Sequence, residues 1–184
     1  MTALLLIGRG LVVAHELKNV ENLTFEPASV ASLDAVLRLL SNSGLPVADV
    51  EAHIDAFTLA RSEGHLVGIV GLELHGELGL LRSLFVAPAH RSKGIGAALV
   101  QSVQLRAATK GVRELYLLTT GATAYFENLG FASLPRDQVP QEIRCTAQFS
   151  SLCPSTAACM HKLIVESLEI GSPSRLAASS RKQQ

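Results

Sequence analysis

The chain has 184 residues, 48 % apolar and 17 % charged, enough for one domain with a sizeable core. Its 16 basic residues balance 16 acidic ones, which argues against a nucleic-acid binder, since that class normally carries a basic excess. No run approaches the ~18 apolar residues of a membrane span, and no Lys or Arg precedes the apolar stretch at residues 4–7, against a secretory signal.

Residues 1–20 form an N-terminal extension to which no motif gives a role. Residues 23–27 read as a strand. Leu33, Val36, Leu37 and Leu40 then recur at helical spacing over residues 31–41. Ser29 or Ser32 suits its cap, and Gly44 follows its end. A second short helix is expected over 50–57 and a strand over 58–61. That strand turns at 62–64 into another at 65–74, and a tight turn at 75–77 leads to an antiparallel return over 78–86. A helix over 95–110 buries Ala98, Leu99, Val103 and Ala107 and stops at Gly111. A strand at 112–118, a helix at 123–129, a strand at 131–134, a helix at 139–149 and a last strand at 157–164 complete the domain, which spans 21–165. Residues 166–184 are dominated by Ser, Arg, Lys and Gln and are expected to be a disordered tail. The fold class is α/β, with helices on both faces of a mixed sheet. Cys145, Cys153 and Cys159 are odd in number and late in the chain, which suits a reducing cytoplasm better than a disulfide framework.

One stretch carries chemistry. A strand ends at Val86, Pro88 follows, and Arg91, Gly94 and Gly96 make an R-x-x-G-x-G pattern ahead of an apolar helical run. Glycines let backbone N–H groups approach an anion. The helix start adds its unpaired N–H groups and the positive end of its dipole. Arg91 and Lys93 add formal charge. A dinucleotide-binding G-x-G-x-x-G is excluded because Leu99 holds the third glycine position, and no Gly-Lys-Ser/Thr marks a Walker A loop. Taken alone, the loop reads equally as a pyrophosphate cradle or as an ordinary strand-to-helix turn.

Its flanks resemble the acyl-CoA loop of the GNAT N-acetyltransferases. A second element, residues 122–131, is similar to that family's A-x-x-F-Y-x-x-x-G-F pattern. The resemblance implies a mixed, mostly antiparallel sheet whose two central parallel strands splay apart, with acetyl-CoA as co-substrate in the gap. It assigns the pyrophosphate to Arg91, Ser92, Lys93, Gly94, Ile95, Gly96 and Ala97, and the thioester to backbone groups of Leu84, Phe85 and Val86. Phe126 falls beside the cofactor. It further implies transfer to the amine of a small molecule, without metal. Many relatives dimerise, so a homodimer is a candidate state.

The proton-transfer half departs from that family. The Tyr that usually serves as general acid is Phe126 here, with Tyr125 beside it. Adjacent helical residues point about 100° apart, so Tyr125 is a catalytic candidate only against the plainer reading of a rim aromatic. The strand Glu that many relatives use as a base falls at Leu80 or Leu81. Glu73 lies in an otherwise apolar strand, where a carboxylate is costly unless paired or facing a cleft. It is the expected proton acceptor or amine-binding group, while Glu77 is expected to be solvated. Arg82, with Ser83 next to it, is a charge inside another apolar strand. It suits either a fork onto an anionic substrate group or a salt bridge with Glu73. Thr119 and Thr120 end a strand at the cleft mouth, where they suit substrate hydrogen bonding or capping of the next helix. His65, His75 and His90 sit at strand ends or loops without metal-ligand spacing.

A narrower resemblance, to the arsenic-resistance-associated N-acetyltransferases, rests on residues 44–46, 71–73, 80–84, 117–120 and above all 143–154. It implies acetylation of an amino group on an aminoaryl or amino-acid-like arsenical, in detoxification. A phosphinothricin-type or other amino acid is the alternative, and a non-catalytic acyl-CoA sensor a further one. An arylamine is neutral at pH 7 and suits a site lacking both the usual Glu and the usual Tyr. Trivalent arsenic prefers thiolates, which gives the cysteines a second reading beside that of small core hydrophobes.

Overall fold

The computed structural model describes residues 4–7, 10–13 and 22–164. The expected tail at 166–184 lies outside them. Within the N-terminal extension, β1 (Leu4–Ile7) and β2 (Gly10–Val13) pair antiparallel with each other.

The main sheet has seven strands in the order β3-β4-β5-β6-β7-β9-β8. These are β3 (Leu23–Pro27), β4 (Phe57–Ser62), β5 (His65–His75), β6 (Leu78–Val86), β7 (Glu114–Thr119), β8 (Ala132–Leu134) and β9 (Ala158–Leu163). All neighbours run antiparallel except β6 and β7, which are parallel. Strand alternation divides the core. Leu81, Leu115 and Leu117 face α2 (Ile95–Thr109) and α3 (Thr123–Asn128) in one cluster with Leu99, Val103, Ala107 and Phe126. On the other face, Phe57, Leu59 and Ile69 pack with Val36 and Leu40 of α1 (Leu33–Asn42), and Leu80 and Tyr116 pack with Ile143 of α4 (Gln141–Arg144).

Most elements fall within two residues of expectation. Two helices are corrected. The 50–57 segment is a 3-10 turn, Glu51–Ala56, broken by non-helical backbone at His53. The 139–149 helix is one short α-helix followed by a π-type turn, Gln148–Leu152. Thr146 separates them: its hydroxyl donates to the Ile143 carbonyl at 2.7 Å and accepts the Phe149 N–H at 3.3 Å. A Thr hydroxyl offers the backbone such an alternative to the helical ladder. At α1, Ser32 tightens the entry turn, accepting the Ser29 N–H at 3.0 Å and donating to the Ser29 carbonyl at 2.8 Å.

Candidate active site

Strands β6 and β7 pair only over Leu78–Leu80 and Glu114–Tyr116. Beyond that point they diverge, while β6 stays bonded to β5 and β7 to β9. The β5–β6 register shifts between Ile69 and Gly71, and Ser83 opposite them has φ 53°. A non-glycine residue in that region costs of order 1 kcal/mol or more and re-aims the strand. Two cavities have linings that adjoin along β6 here, at Ser83 and Leu84. Leu84, Phe85 and Val86 line a large one of about 530 Å³. Leu80, Leu81, Arg82 and Ser83 line a small one of about 60 Å³.

The large cavity is also lined by His90, Arg91, Ser92, Gly94, Ile95, Gly96, Ala97, Ala122, Tyr125 and Phe126. Lys93 is absent from its wall. Ser92 and Gly94 adopt φ 59° and 83°, which turns successive N–H groups toward one side as an anion-binding nest. Gly94 is the N-cap of α2, and the first intrahelical bond runs from the Ala98 N–H to the Gly94 carbonyl at 3.0 Å. The amides of Ile95, Gly96 and Ala97 therefore precede the ladder and face out of the helix end. Arg91 is held over the opening by its Nε–H, which donates to the Val86 carbonyl at 2.9 Å, and by the Phe85 ring 5.7 Å from its guanidinium carbon. This polar, positively polarised end fits a pyrophosphate, and the cavity is large enough for the chain attached to it.

The Tyr–Phe order matters structurally. Phe126 is buried and packs edge-to-face on Phe131 at 5.6 Å between centroids, so it is a core residue with one edge on the cavity. Tyr125 is 39 % exposed and lies in the cavity wall over Gly96. Burial pushes its phenol above the ordinary value, so it stays protonated at neutral pH.

The small cavity is closed by Leu45 and Pro46 after α1, by Leu118 of β7, and by Gln148 and Cys153. Arg82 crosses its floor with a side chain only 1 % exposed. Its fork is bound by Asp49, with Nη1 to Oδ2 at 2.5 Å and Nη2 to Oδ1 at 2.6 Å, and Nη1 also donates to Glu73. Phe57 lies 5.6 Å from its guanidinium carbon. Burial works against the charge on Arg82, but the hydrogen bonds and charges of Asp49 and Glu73 outweigh it and hold its pKa above the ordinary value. Burial likewise raises Asp49, and the Arg82 hydrogen bond outweighs it, leaving that carboxyl below its usual range. Of the two sequence readings of Arg82, the salt bridge with Glu73 is the one formed, and the fork itself is taken by Asp49. Glu73 sits 3.7 Å from His75 Nε2 through its other oxygen and lines neither cavity.

Thr119 accepts the Ala122 N–H at 3.0 Å and so closes the turn ahead of α3, whose N-cap is Ala122 without a side-chain cap, and Thr120 is exposed beside it. Glu77 is exposed, with Arg113 Nε 3.4 Å away. Cys145 is exposed, Cys153 lines the small cavity, and Cys159 is buried on β9 with Arg136 Nη1 3.8 Å from its sulfur. Burial raises the thiols of Cys153 and Cys159 above their ordinary values, which disfavours the thiolates that soft-metal ligation requires. Among the described residues no cluster of His, Cys, Asp and Glu is placed to hold a metal, and no helix is long and apolar enough to cross a membrane. The sequence reading missed Asp49, Gln148 and His90. For Asp49 no local signal exists, because its partner lies on a strand far along the chain.

Residues 53–133 match the family model described as an acetyltransferase (GNAT) domain. An uncharacterized N-acetyltransferase of Chlorobaculum tepidum is 30 % identical over 125 residues, covering 66 % of this chain and 77 % of that protein. An amino-acid acetyltransferase of Aeromonas salmonicida is 31 % identical over 113 residues, 58 % of this chain, but the match spans only 26 % of that longer enzyme. Among solved structures, N-acetylglutamate synthase of Neisseria gonorrhoeae complexed with coenzyme A and N-acetyl-glutamate aligns with a TM-score of 0.66 at 20 % identity, over 78 % of this chain and 35 % of that one. A Mycobacterium tuberculosis protein in complex with CoA aligns with a TM-score of 0.67 at 20 % identity, over 77 % of this chain and 99 % of that one. With the splayed β6–β7 pair, the glycine cradle and these relationships together, the chain belongs to the GNAT family of acetyl-CoA-dependent N-acetyltransferases.

Proposed function

We propose that the acceptor is a small amine already neutral at pH 7, with an aminoaryl arsenical as the first candidate. The observation that carries this reading is that, among the described residues, no carboxylate lines either cavity and the imidazole on the large cavity's wall is that of His90. Glu73, the expected proton acceptor, is committed to Arg82 and faces His75. An α-ammonium, with a pKa of about 8 at a chain terminus and higher in a free amino acid, must lose a proton before it attacks, and the described residues of the cavity walls offer no carboxylate to take it. An arylamine needs no such step. The glycine cradle and Arg91 hold the pyrophosphate, and the backbone of Leu84, Phe85 and Val86 aligns the thioester beside the bulge at Ser83. As the new N–C bond forms, the C–S bond breaks. The amine then sheds a proton, and the thiolate, with a pKa near 8.5 as for Cys, takes one up. Tyr125 enters this reading as a neutral hydroxyl in the cofactor wall and Lys93 as a charge near the loop. What supports the arsenical in particular is the resemblance carried by residues 143–154, the segment that closes the small cavity with Gln148 and Cys153.

Thiol release from acetyl-CoA, followed from pH 6 to 9 with 4-aminophenylarsonate and with glutamate, tests the reading. The arylamine is expected to turn over with at least ~10-fold higher kcat/KM at pH 7 and little pH dependence. Turnover of glutamate alone, rising toward ~10-fold per pH unit because a free amino acid's amine titrates well above the chain-terminus value of about 8, would establish the second reading, an amino-acid acetyltransferase. That reading is favoured by the name of the Aeromonas relative. Coenzyme A binding without thiol release from any amine would leave an acyl-CoA sensor.

A further inference from the structure

We infer that the small cavity is a subsite for a compact oxygen-bearing group on the acceptor, held by two N–H donors, Arg82 Nε and Gln148 Nε2. The inference rests on the acceptor entering at the β6–β7 splay, and it adds which part of the acceptor is recognised. Both side chains line the cavity. Arg82 is 1 % exposed by its side chain and Gln148 4 % exposed as a residue, and the named nitrogen of each has no hydrogen-bond partner among the described residues. An unpaired buried donor is costly and is rarely left without a partner in a native protein. Two of them belong to residues that line one cavity, which calls for an oxygen acceptor there.

The surroundings fix both donors in place. Asp49 and Glu73 hold the far side of the Arg82 guanidinium, so its Nε–H cannot swing away. The Cys153 thiol donates to Gln148 Oε1 at 3.6 Å, which orients the amide and leaves Nε2 unpartnered. Burial keeps that thiol protonated at neutral pH. Apart from Ser83 and Cys153, the remaining walls, among them Leu45, Leu80 and Leu118, are apolar, and about 60 Å³ admits one compact group rather than a whole ring. Because two carboxylates already exceed the charge on Arg82, recognition runs through N–H direction more than through net charge. Carboxylate, arsonate and phosphinate share this chemistry. The body of the acceptor then lies toward Ser83 and Leu84, where the large cavity begins.

Calorimetric binding of benzoate and phenylarsonate to the full chain loaded with coenzyme A tests the subsite. Neither probe carries an amine, so binding is independent of acetyl transfer. Both probes are expected to bind the unmodified chain. Gln148→Leu, which keeps volume and removes the donor, is expected to weaken them at least 10-fold while coenzyme A affinity stays unchanged. Cys153→Ala, which frees the amide to rotate, is expected to weaken them 2- to 5-fold. Absence of binding to the unmodified chain, or equal binding by Gln148→Leu, would overturn the inference. If Gln148→Leu fails to bind coenzyme A through misfolding, Cys153→Ala decides: unchanged affinity for both probes overturns it. Probe binding without acetylation of any amine would defeat the proposed function alone and leave the subsite standing.

Discussion

Gly96 and Tyr125 form a pair whose coupling can be worked out from one distance. A Cβ built on Gly96 would lie 2.5 Å from the Tyr125 hydroxyl, whereas its next neighbours, Tyr125 Cζ and Val86 Cγ2, are at ordinary contact distances of 3.5 and 3.6 Å. The whole conflict therefore rests on one oxygen atom. In Gly96→Ala, Tyr125 must move by roughly 0.9 Å, the gap to a normal contact, in the wall of the cavity proposed for the cofactor. Overpacking of this kind costs about 1–3 kcal/mol. An Ala in the first turn of α2 returns about 0.5–1 kcal/mol over Gly. Gly96→Ala is thus expected to lose up to ~2 kcal/mol of stability and to bind coenzyme A about tenfold more weakly, or ~1.4 kcal/mol. Tyr125→Phe removes the oxygen. The double variant should recover coenzyme A affinity to within about twofold of Tyr125→Phe alone, and its stability should exceed that of Tyr125→Phe by the ~0.5–1 kcal/mol helix gain. Calorimetric Kd values and urea unfolding of the four proteins close the cycle. A double variant that binds as weakly as Gly96→Ala would refute the reasoning, because the bare glycine would then serve the cofactor directly and not Tyr125.

Arg82→Met should destabilise the chain by ~3 kcal/mol in urea unfolding, since removing one partner leaves Asp49 and Glu73 facing each other half-sheltered. Adding Asp49→Asn should return part of that loss, and a fully additive double variant would argue against the triad. Asp49 also sets an acid limit. Its folded pKa is lowered, so its contribution is complete above its unfolded value near 3.9 and is lost as pH falls through the lower folded value. Unfolding curves from pH 6 down to 2.5 should therefore steepen below about pH 4, and less so in Asp49→Asn. Thr119→Val removes the acceptor for the Ala122 N–H and should cost about 1 kcal/mol, as loss of one hydrogen bond does. A melting temperature that does not fall would remove that role.

The glycine loop and the strand positions were legible because both follow from local rules, whereas the entry of β9 between β7 and β8 was not. Alternation places Leu80 and Leu81 on opposite faces of β6, and glycine content together with a helix start announces an anion site. The two helices misread at 50–57 and 139–149 fail for a local reason too. His53 and Thr146 take backbone conformations or hydrogen bonds that apolar spacing does not report. The charged residues in strands, Glu73 and Arg82, could be singled out as unusual, but not paired with Asp49. Nor could Gln148 or Cys153 be placed against β6 from spacing alone.

By itself, then, the sequence determined where most strands and helices lie and where a glycine loop meets a helix start, because each depends on residues close in the chain. Only the tertiary structure decided what surrounds the proposed acceptor subsite. There a loop after α1, a bulge in β6, the end of β7 and the turn after α4 converge, and the hydrogen-bond partners of a buried charge are chosen by that convergence rather than by its neighbours in the chain.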